Sequence, residues 1–224
     1  QTVNIGIGGG RTVAKFIDLV IENSNYSIKI FVASKFIKRE LVNSTSYQNK
    51  IFDLYIEKPK EICLTVDGAD QIIELEDQEN FLLIKGAGGC FKEEFDLIQT
   101  SKKVFIAAEL RKYTGINEHA QFFKTYFYIQ DGSLVDCCGA VDKVQMTLAP
   151  EIRFEIDQAS IISQKRTQNG NLILEIVFFK KNGFYTEDIK VLNQIFTGIE
   201  GVISTGMIII EKTRVKLVTE SSIL

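Results

Sequence analysis

The chain has 224 residues, 45% of them hydrophobic and 25% charged. This is the balance of a globular protein with one large domain or two small ones, and it excludes disorder and collagen-like structure. Lys and Arg number 26 against 29 Asp and Glu, a formal charge of −3, so no basic excess exists for a phosphate backbone and no nucleic-acid partner is expected, although one small anionic site is compatible with it.

Val3 to Ile7 reads as a buried strand entering a glycine turn, after which Val13, Phe16, Ile17, Val20 and Ile21 recur at helical spacing. Ile28 to Val32 is the next strand and Phe36 to Val42 a helix. Short strands follow around Ile51 to Tyr55, Ile62 to Val66 and Phe81 to Ile84. A helix from about Cys90 to Gln99 leads into the apolar run Val104 to Ala108. This alternation predicts an α/β fold built on an open, mostly parallel Rossmann-like sheet, where ligands sit beyond the carboxyl ends of the strands.

After about Lys124 the texture changes. Tyr126 to Ile129 is a strand, and Leu134, Cys138, Val141 and Leu148 keep helical spacing up to Pro150. Ile152 to Ile156 and Leu172 to Phe179 read as strands, with Asn169-Gly170 as the turn between them. Thr186 is the expected cap of a helix carrying Ile189, Leu192 and Ile195, and Val202 to Ile210 the last long strand. The βαββαβ order predicts a second, smaller α+β domain of ferredoxin-like type over residues 124–210. Val215 to Val218 is expected back in the larger sheet, so residues 1–123 and 211–224 together make the Rossmann-like domain.

The longest apolar runs, such as Ile176 to Phe179 and Met207 to Ile210, are too short to cross a bilayer, and no membrane partner is expected. Gln1 opens on a strand-like run with no signal-peptide pattern. Cys63, Cys90, Cys137 and Cys138 lie in no metal-ligand spacing, and His119 is the sole histidine. A zinc site and a Ser–His–Asp hydrolase are therefore set aside. The thiols read as reduced in a cytoplasmic protein, and none is expected to ligate a metal.

Four segments stand out, each just after a predicted strand. In Gly6-Ile7-Gly8-Gly9-Gly10-Arg11-Thr12 the glycines let the backbone approach an anion, and the following helix presents N–H groups. Arg11 and Thr12 add a charge and a hydroxyl. A dinucleotide fingerprint would want an acid about 20 residues on, and Glu22 comes too early. Phosphate of a small ligand and a simple tight turn both remain open. Asp67-Gly68-Ala69-Asp70 places two carboxylates around a glycine bend, suited to sugar hydroxyls or proton transfer, or to plain turn chemistry. In Lys85-Gly86-Ala87-Gly88-Gly89, followed by Glu93 and Glu94, the lysine suits a developing oxyanion. A glutamate there either moves a proton or complements the helix N-terminus. In Glu109-Leu110-Arg111-Lys112, the lysine serves an anionic ligand or a solvated helix end. Glu74 to Glu79 and Lys180-Lys181 read as solvated turns, and the 16 phenylalanines as core.

In this order and at this separation the four segments resemble the ribose-5-phosphate isomerase type A family. Its pattern is a Gly-rich turn, Asp-Gly-Ala-Asp, Lys-Gly-x-Gly-Gly with a Glu nine residues after the lysine, and a later lysine after the next strand. The likeness continues through Asn169-Gly170-Asn171 and Gly201-Val202 to Gly206. The resemblance implies metal-free isomerisation of ribose 5-phosphate to ribulose 5-phosphate through an enediolate, as in the pentose phosphate pathway, by a homodimer or homotetramer. Carried over, Glu94 is the base, Asp67 assists ring opening and proton movement at the oxygens, and Asp70 and Lys85 hold the reacting end. Gly8, Gly9, Gly10, Arg11, Thr12 and Lys112 hold phosphate. Gly9 and Arg11 replace a threonine and a serine of the family's turn. That change keeps two alternatives in play: a catalytically weak sugar-phosphate sensor on the same scaffold, and an isomerase for a different anionic sugar.

Overall fold

The computed structural model describes residues 2–9, 13, 25–42, 50–53, 57, 59–115, 121–157, 159 and 165–219. Among these the strands are β1 (Thr2–Ile7), β2 (Ser27–Val32), β3 (Ile51–Asp53), β4 (Ile62–Asp67), β5 (Gln71–Glu74), β6 (Asn80–Ile84), β7 (Ser101–Ala107), β8 (Tyr113–Thr114), β9 (Phe122–Ile129), β10 (Ile152–Ile156), β11 (Leu172–Lys180), β12 (Val202–Thr205), β13 (Met207–Glu211) and β14 (Val215–Val218). The helices are α1 (Lys35–Val42), α2 (Phe91–Thr100), α3 (Leu134–Val144) and α4 (Thr186–Thr197). No described helix is long and apolar enough to cross a membrane. The chain divides into two compact units, one of residues 1–69, 90–110 and 213–224 and one of residues 70–89 and 111–212.

The first unit holds a parallel sheet in the order β14-β7-β4-β1-β2-β3. From β1 the chain adds β2 and β3 on one side and then β4, β7 and β14 on the other. The β1/β4 boundary is therefore the topological switch point, where doubly wound sheets leave a crevice at their carboxyl ends. Ile5, Ile7, Ile28, Ile30 and Val66 bury one sheet surface with Ile37 and Leu41, four residues apart on α1. Helix α2 buries Phe91, Glu94, Leu97 and Ile98, a helical stripe interrupted by a carboxylate. At its far end the Arg214 guanidinium donates to the carbonyl of Ile98 (3.0 Å), which also accepts the Ser101 N–H, and to the carbonyl of Ser101 (2.6 Å). Of the helix expected over Val13 to Ile21, only Val13 is among the described residues, and it is buried.

The second unit has two four-stranded sheets. Strands and helices β9-α3-β10-β11-α4-β12 follow the βαββαβ order, and the antiparallel sheet runs β10-β11-β9-β12, the ferredoxin-like arrangement. Phe123, Phe127, Phe154, Phe178, Phe184 and Phe196 form a linked aromatic cluster in its core. The other sheet, β13-β6-β5-β8, has no counterpart in the sequence reading. It explains why residues 70–89 and 111–123 group with the second unit, whereas the expected division put them in the first.

Several local expectations change. The run Val202 to Ile210 is two strands in different sheets, broken at Gly206. Helix α3 ends at Val144, and turns carry the chain on to Pro150. Thr186 is the first residue of α4 rather than its cap; Tyr185 holds that position, and the Asp188 carboxylate reaches back to accept its N–H (2.7 Å). The same carboxylate takes the Lys180 ammonium at 2.6 Å, so Lys180 is not a solvated turn residue. Nor is Glu74, which ends β5 and pairs with Lys212 and the Tyr113 hydroxyl.

Candidate active site

In the first unit, β1 delivers Gly8 and Gly9 to the switch point and β4 ends on Asp67. The Gly8 N–H donates to the Val66 carbonyl at 3.0 Å, extending the ladder past β1. A Cβ on Gly8 would lie 2.0 Å from the Asp67 carboxyl carbon, so only glycine lets that carboxylate sit against the turn. Asp67 is fully buried; its Oδ1 accepts from the N–H groups of Gly68 (2.7 Å) and Gly9 (3.2 Å).

The Gly9 N–H is shared. It also donates to Glu94 Oε1 at 3.1 Å, and the Cys90 thiol donates to the same oxygen at 3.1 Å. Glu94 lies in the first turn of α2, where the helix dipole favours a carboxylate. Two buried carboxylates, from the end of β4 and the start of α2, thus converge on one backbone N–H. Glu93 is buried as well, at 7% exposure, so burial alone does not distinguish the two glutamates. Cys90 escaped the sequence reading, although its place four residues before Glu94 puts both on one helix face.

In the second unit, Asp70 and Lys85 lie at the same end of the β5–β6 hairpin, whose last pair is Gln71 opposite Ile84. The Asp70 N–H donates to the Ile84 carbonyl (2.8 Å), and Asp70 Oδ2 accepts from the Ala87 N–H (3.0 Å). Lys85 is 4% exposed. Behind it Gly86 and Gly89 take φ values of 128° and 79°, which L side chains avoid. Lys112 ends a single 3₁₀ turn and is half-buried. Gly10, Arg11 and Thr12 lie outside the described residues. Gly8, Gly9, Asp67 and Glu94 are therefore brought together in one unit, and Asp70 and Lys85 in the other.

Tyr126, on β9 opposite Glu175, was also missed. Burial pushes its phenol up to about 12, with the charges of Asp70 and Glu175 adding to the effect. Because its folded value lies above its unfolded value near 10, the unfolded chain loses this proton first, and stability falls as pH rises from about 10 to about 12. Tyr126→Phe should flatten that decline, read as denaturant midpoints at pH 9 and 11; an unchanged slope would refute the assignment. The four cysteines form no disulfide, and burial pushes the Cys137 thiol up to about 11, away from reactive thiolate character.

The family described as Ribose 5-phosphate isomerase A (phosphoriboisomerase A) matches residues 30–222. This chain belongs to that family. Family membership carries the reaction class with it, the aldose–ketose isomerisation of ribose 5-phosphate. The matched span takes in Asp67, Asp70, Lys85, Glu94 and Lys112 and leaves out the Gly8 to Thr12 turn. The chain is 28% identical over 210 residues to the ribose-5-phosphate isomerase of Dictyostelium discoideum, covering 92% of this chain and 81% of the relative. It is 26% identical over 209 residues to the human ribose-5-phosphate isomerase, covering 92% of this chain but only 61% of that protein. Among solved structures, ribose 5-phosphate isomerase A of Methanocaldococcus jannaschii superposes with a TM-score of 0.70 at 19% identity, over 99% of this chain and 89% of that one. The Plasmodium falciparum enzyme gives 0.70 at 18%, over 99% and 89%. These two likenesses establish the shared fold.

Proposed function

We propose that this family member interconverts ribose 5-phosphate and ribulose 5-phosphate by proton transfer through an enediolate, with Glu94 as the base. In the open-chain aldose, the Glu94 carboxylate takes the proton from C2. The C–H electrons form the C1–C2 double bond, and the carbonyl electrons move onto O1, where the Lys85 ammonium stabilises the negative charge. Asp67 assists ring opening and moves the proton between the oxygens, and Asp70 holds the reacting end. Glu94 then returns its proton to C1, giving the ketose.

The observation that carries this reading is the convergence of Asp67 and Glu94 on the Gly9 N–H. Base and oxygen-directed acid are thereby held in fixed relation, as transfer between neighbouring carbons requires. The N–H groups of Gly8 and Gly9 already serve the Val66 carbonyl and the two carboxylates. Phosphate binding is therefore assigned to Gly10, Arg11, Thr12 and Lys112. The proposed assembly is a homodimer or homotetramer, as the family resemblance implies, and the proposed compartment is the cytoplasm, in keeping with four cysteines that form no disulfide.

A coupled turnover assay on ribose 5-phosphate beside a panel of other aldoses tests the substrate. Turnover of ribose 5-phosphate alone supports the reading, binding without turnover makes the chain a sensor, and preference for another sugar reassigns it. Guanidinium takes two phosphate oxygens at once, so Arg11→Ser should raise the Michaelis constant more than it lowers turnover. An unchanged Michaelis constant would place Arg11 elsewhere.

A further inference from the structure

Lys85 owes its place to a contact made far away in sequence. Strand β6 ends at Ile84 opposite Met207, the first residue of β13, so Lys85 and Gly206 are the next residues beyond that pair. The Lys85 N–H donates to the Gly206 carbonyl at 2.9 Å, and the Gly206 N–H donates to the Tyr126 carbonyl on β9 at 2.6 Å. Gly206 therefore ties the lysine's backbone to an interior strand of the neighbouring sheet, at the point where the chain leaves β12 for β13.

The approach is too close for any side chain. A Cβ on Gly206 would stand 2.1 Å from the Lys85 carbonyl oxygen, 2.8 Å from Thr125 Oγ1 and 3.0 Å from the Tyr126 carbonyl oxygen. The nearest of these is a backbone atom of Lys85, and no rotamer change relieves it. Gly206 is not among the residues with positive φ, so close approach alone demands glycine there. On the other side of Lys85, a Cβ on Gly86 would meet the Tyr126 Cβ at 2.8 Å, and the Tyr128 hydroxyl donates to the Gly86 carbonyl at 3.2 Å. The lysine backbone is thus seated against β9 from both flanks, and the residue as a whole is 4% exposed.

We infer that Gly206 is a positioning residue for Lys85, its absent side chain setting where the ammonium stands, with the Tyr128 hydroxyl as the second point of the seat. This rests on the catalytic role given to Lys85 above. A displacement of about 1 Å in a catalytic group costs on the order of 10²-fold in rate. Gly206→Ala should therefore lower kcat by about 10²-fold with little change in KM, and Tyr128→Phe should lower it several-fold in the same manner.

The deciding experiment is a double-mutant cycle with Lys85→Met, measured as kcat on ribose 5-phosphate. If Gly206 acts through the ammonium, adding Gly206→Ala to Lys85→Met should cost almost nothing more, and Tyr128→Phe should behave alike. Losses that multiply, or full kcat in Gly206→Ala beside an inactive Lys85→Met, would overturn the inference. An active Lys85→Met would instead remove the catalytic role of Lys85 itself. Should Gly206→Ala not fold, the Tyr128→Phe cycle decides by the same criteria, since it deletes one hydroxyl from an otherwise unchanged ring.

Discussion

Glu94→Gln should lower turnover by about 10²–10⁴-fold, the usual contribution of a general base. The amide keeps the shape and a carbonyl oxygen able to accept from the Gly9 N–H and the Cys90 thiol. The local structure should therefore survive, and what disappears is basicity. The Michaelis constant should change little, because the interaction lost belongs to the transition state. In deuterated solvent the native protein should incorporate deuterium into product, and Glu94→Gln scarcely at all. Glu93→Gln is the matched control: the neighbouring carboxylate is equally buried but lies about 100° around the helix, and turnover should be nearly unchanged. If Glu93→Gln is the inactive variant, the base has been assigned to the wrong residue. If both variants stay active, proton transfer by a glutamate of α2 is refuted.

The largest effect on stability should come from Phe196→Ala. Phe196 is fully buried on α4, and its ring centroid lies 4.9 Å from that of Phe127 and 5.5 Å from those of Phe154 and Phe178. Truncation removes buried apolar surface, three edge-to-face contacts and the filling of a close-packed space, together about 3–5 kcal/mol. Against a net stability of about 5–15 kcal/mol for ordinary domains, that is a large share. The midpoint of thermal unfolding should fall by on the order of 10 °C. A shift within the scatter of surface substitutions would mean that the cluster repacks around the gap. Phe196→Leu, which keeps much of the volume, should lose distinctly less.

Much of the fold and the candidate site can be read along the chain, because the signals are local. The apolar runs at Val3 to Ile7, Ile28 to Val32 and Ile62 to Val66 became adjacent parallel strands, and the stretch from Tyr126 to Thr205 yielded the antiparallel sheet with its helices. Asp67, Asp70 and Lys85 stand out because each falls at or just beside a strand end and Glu94 because it follows in the next helix, while the roles proposed for them come from the family resemblance. The β13-β6-β5-β8 sheet could not be read this way. Gln71 to Glu74 is short and polar at both ends, and it becomes a strand only because β6 and β8 supply its backbone partners. The continuous apolar run Val202 to Ile210 likewise conceals that Gly206 divides it between two sheets.

By itself the sequence determined the periodicities, the residue types at each strand end and the family, all properties carried within short stretches of chain or in their order. Tertiary structure alone decided which distant groups meet. The Gly9 N–H donates to both Asp67 and Glu94, the Cys90 thiol rests on the Glu94 carboxylate, and Gly206 lies against Lys85. The reason is physical: hydrogen bonds and steric exclusion act over a few ångströms in space and are indifferent to separation along the chain. A glycine's role is therefore set by what approaches the place where its side chain would have been.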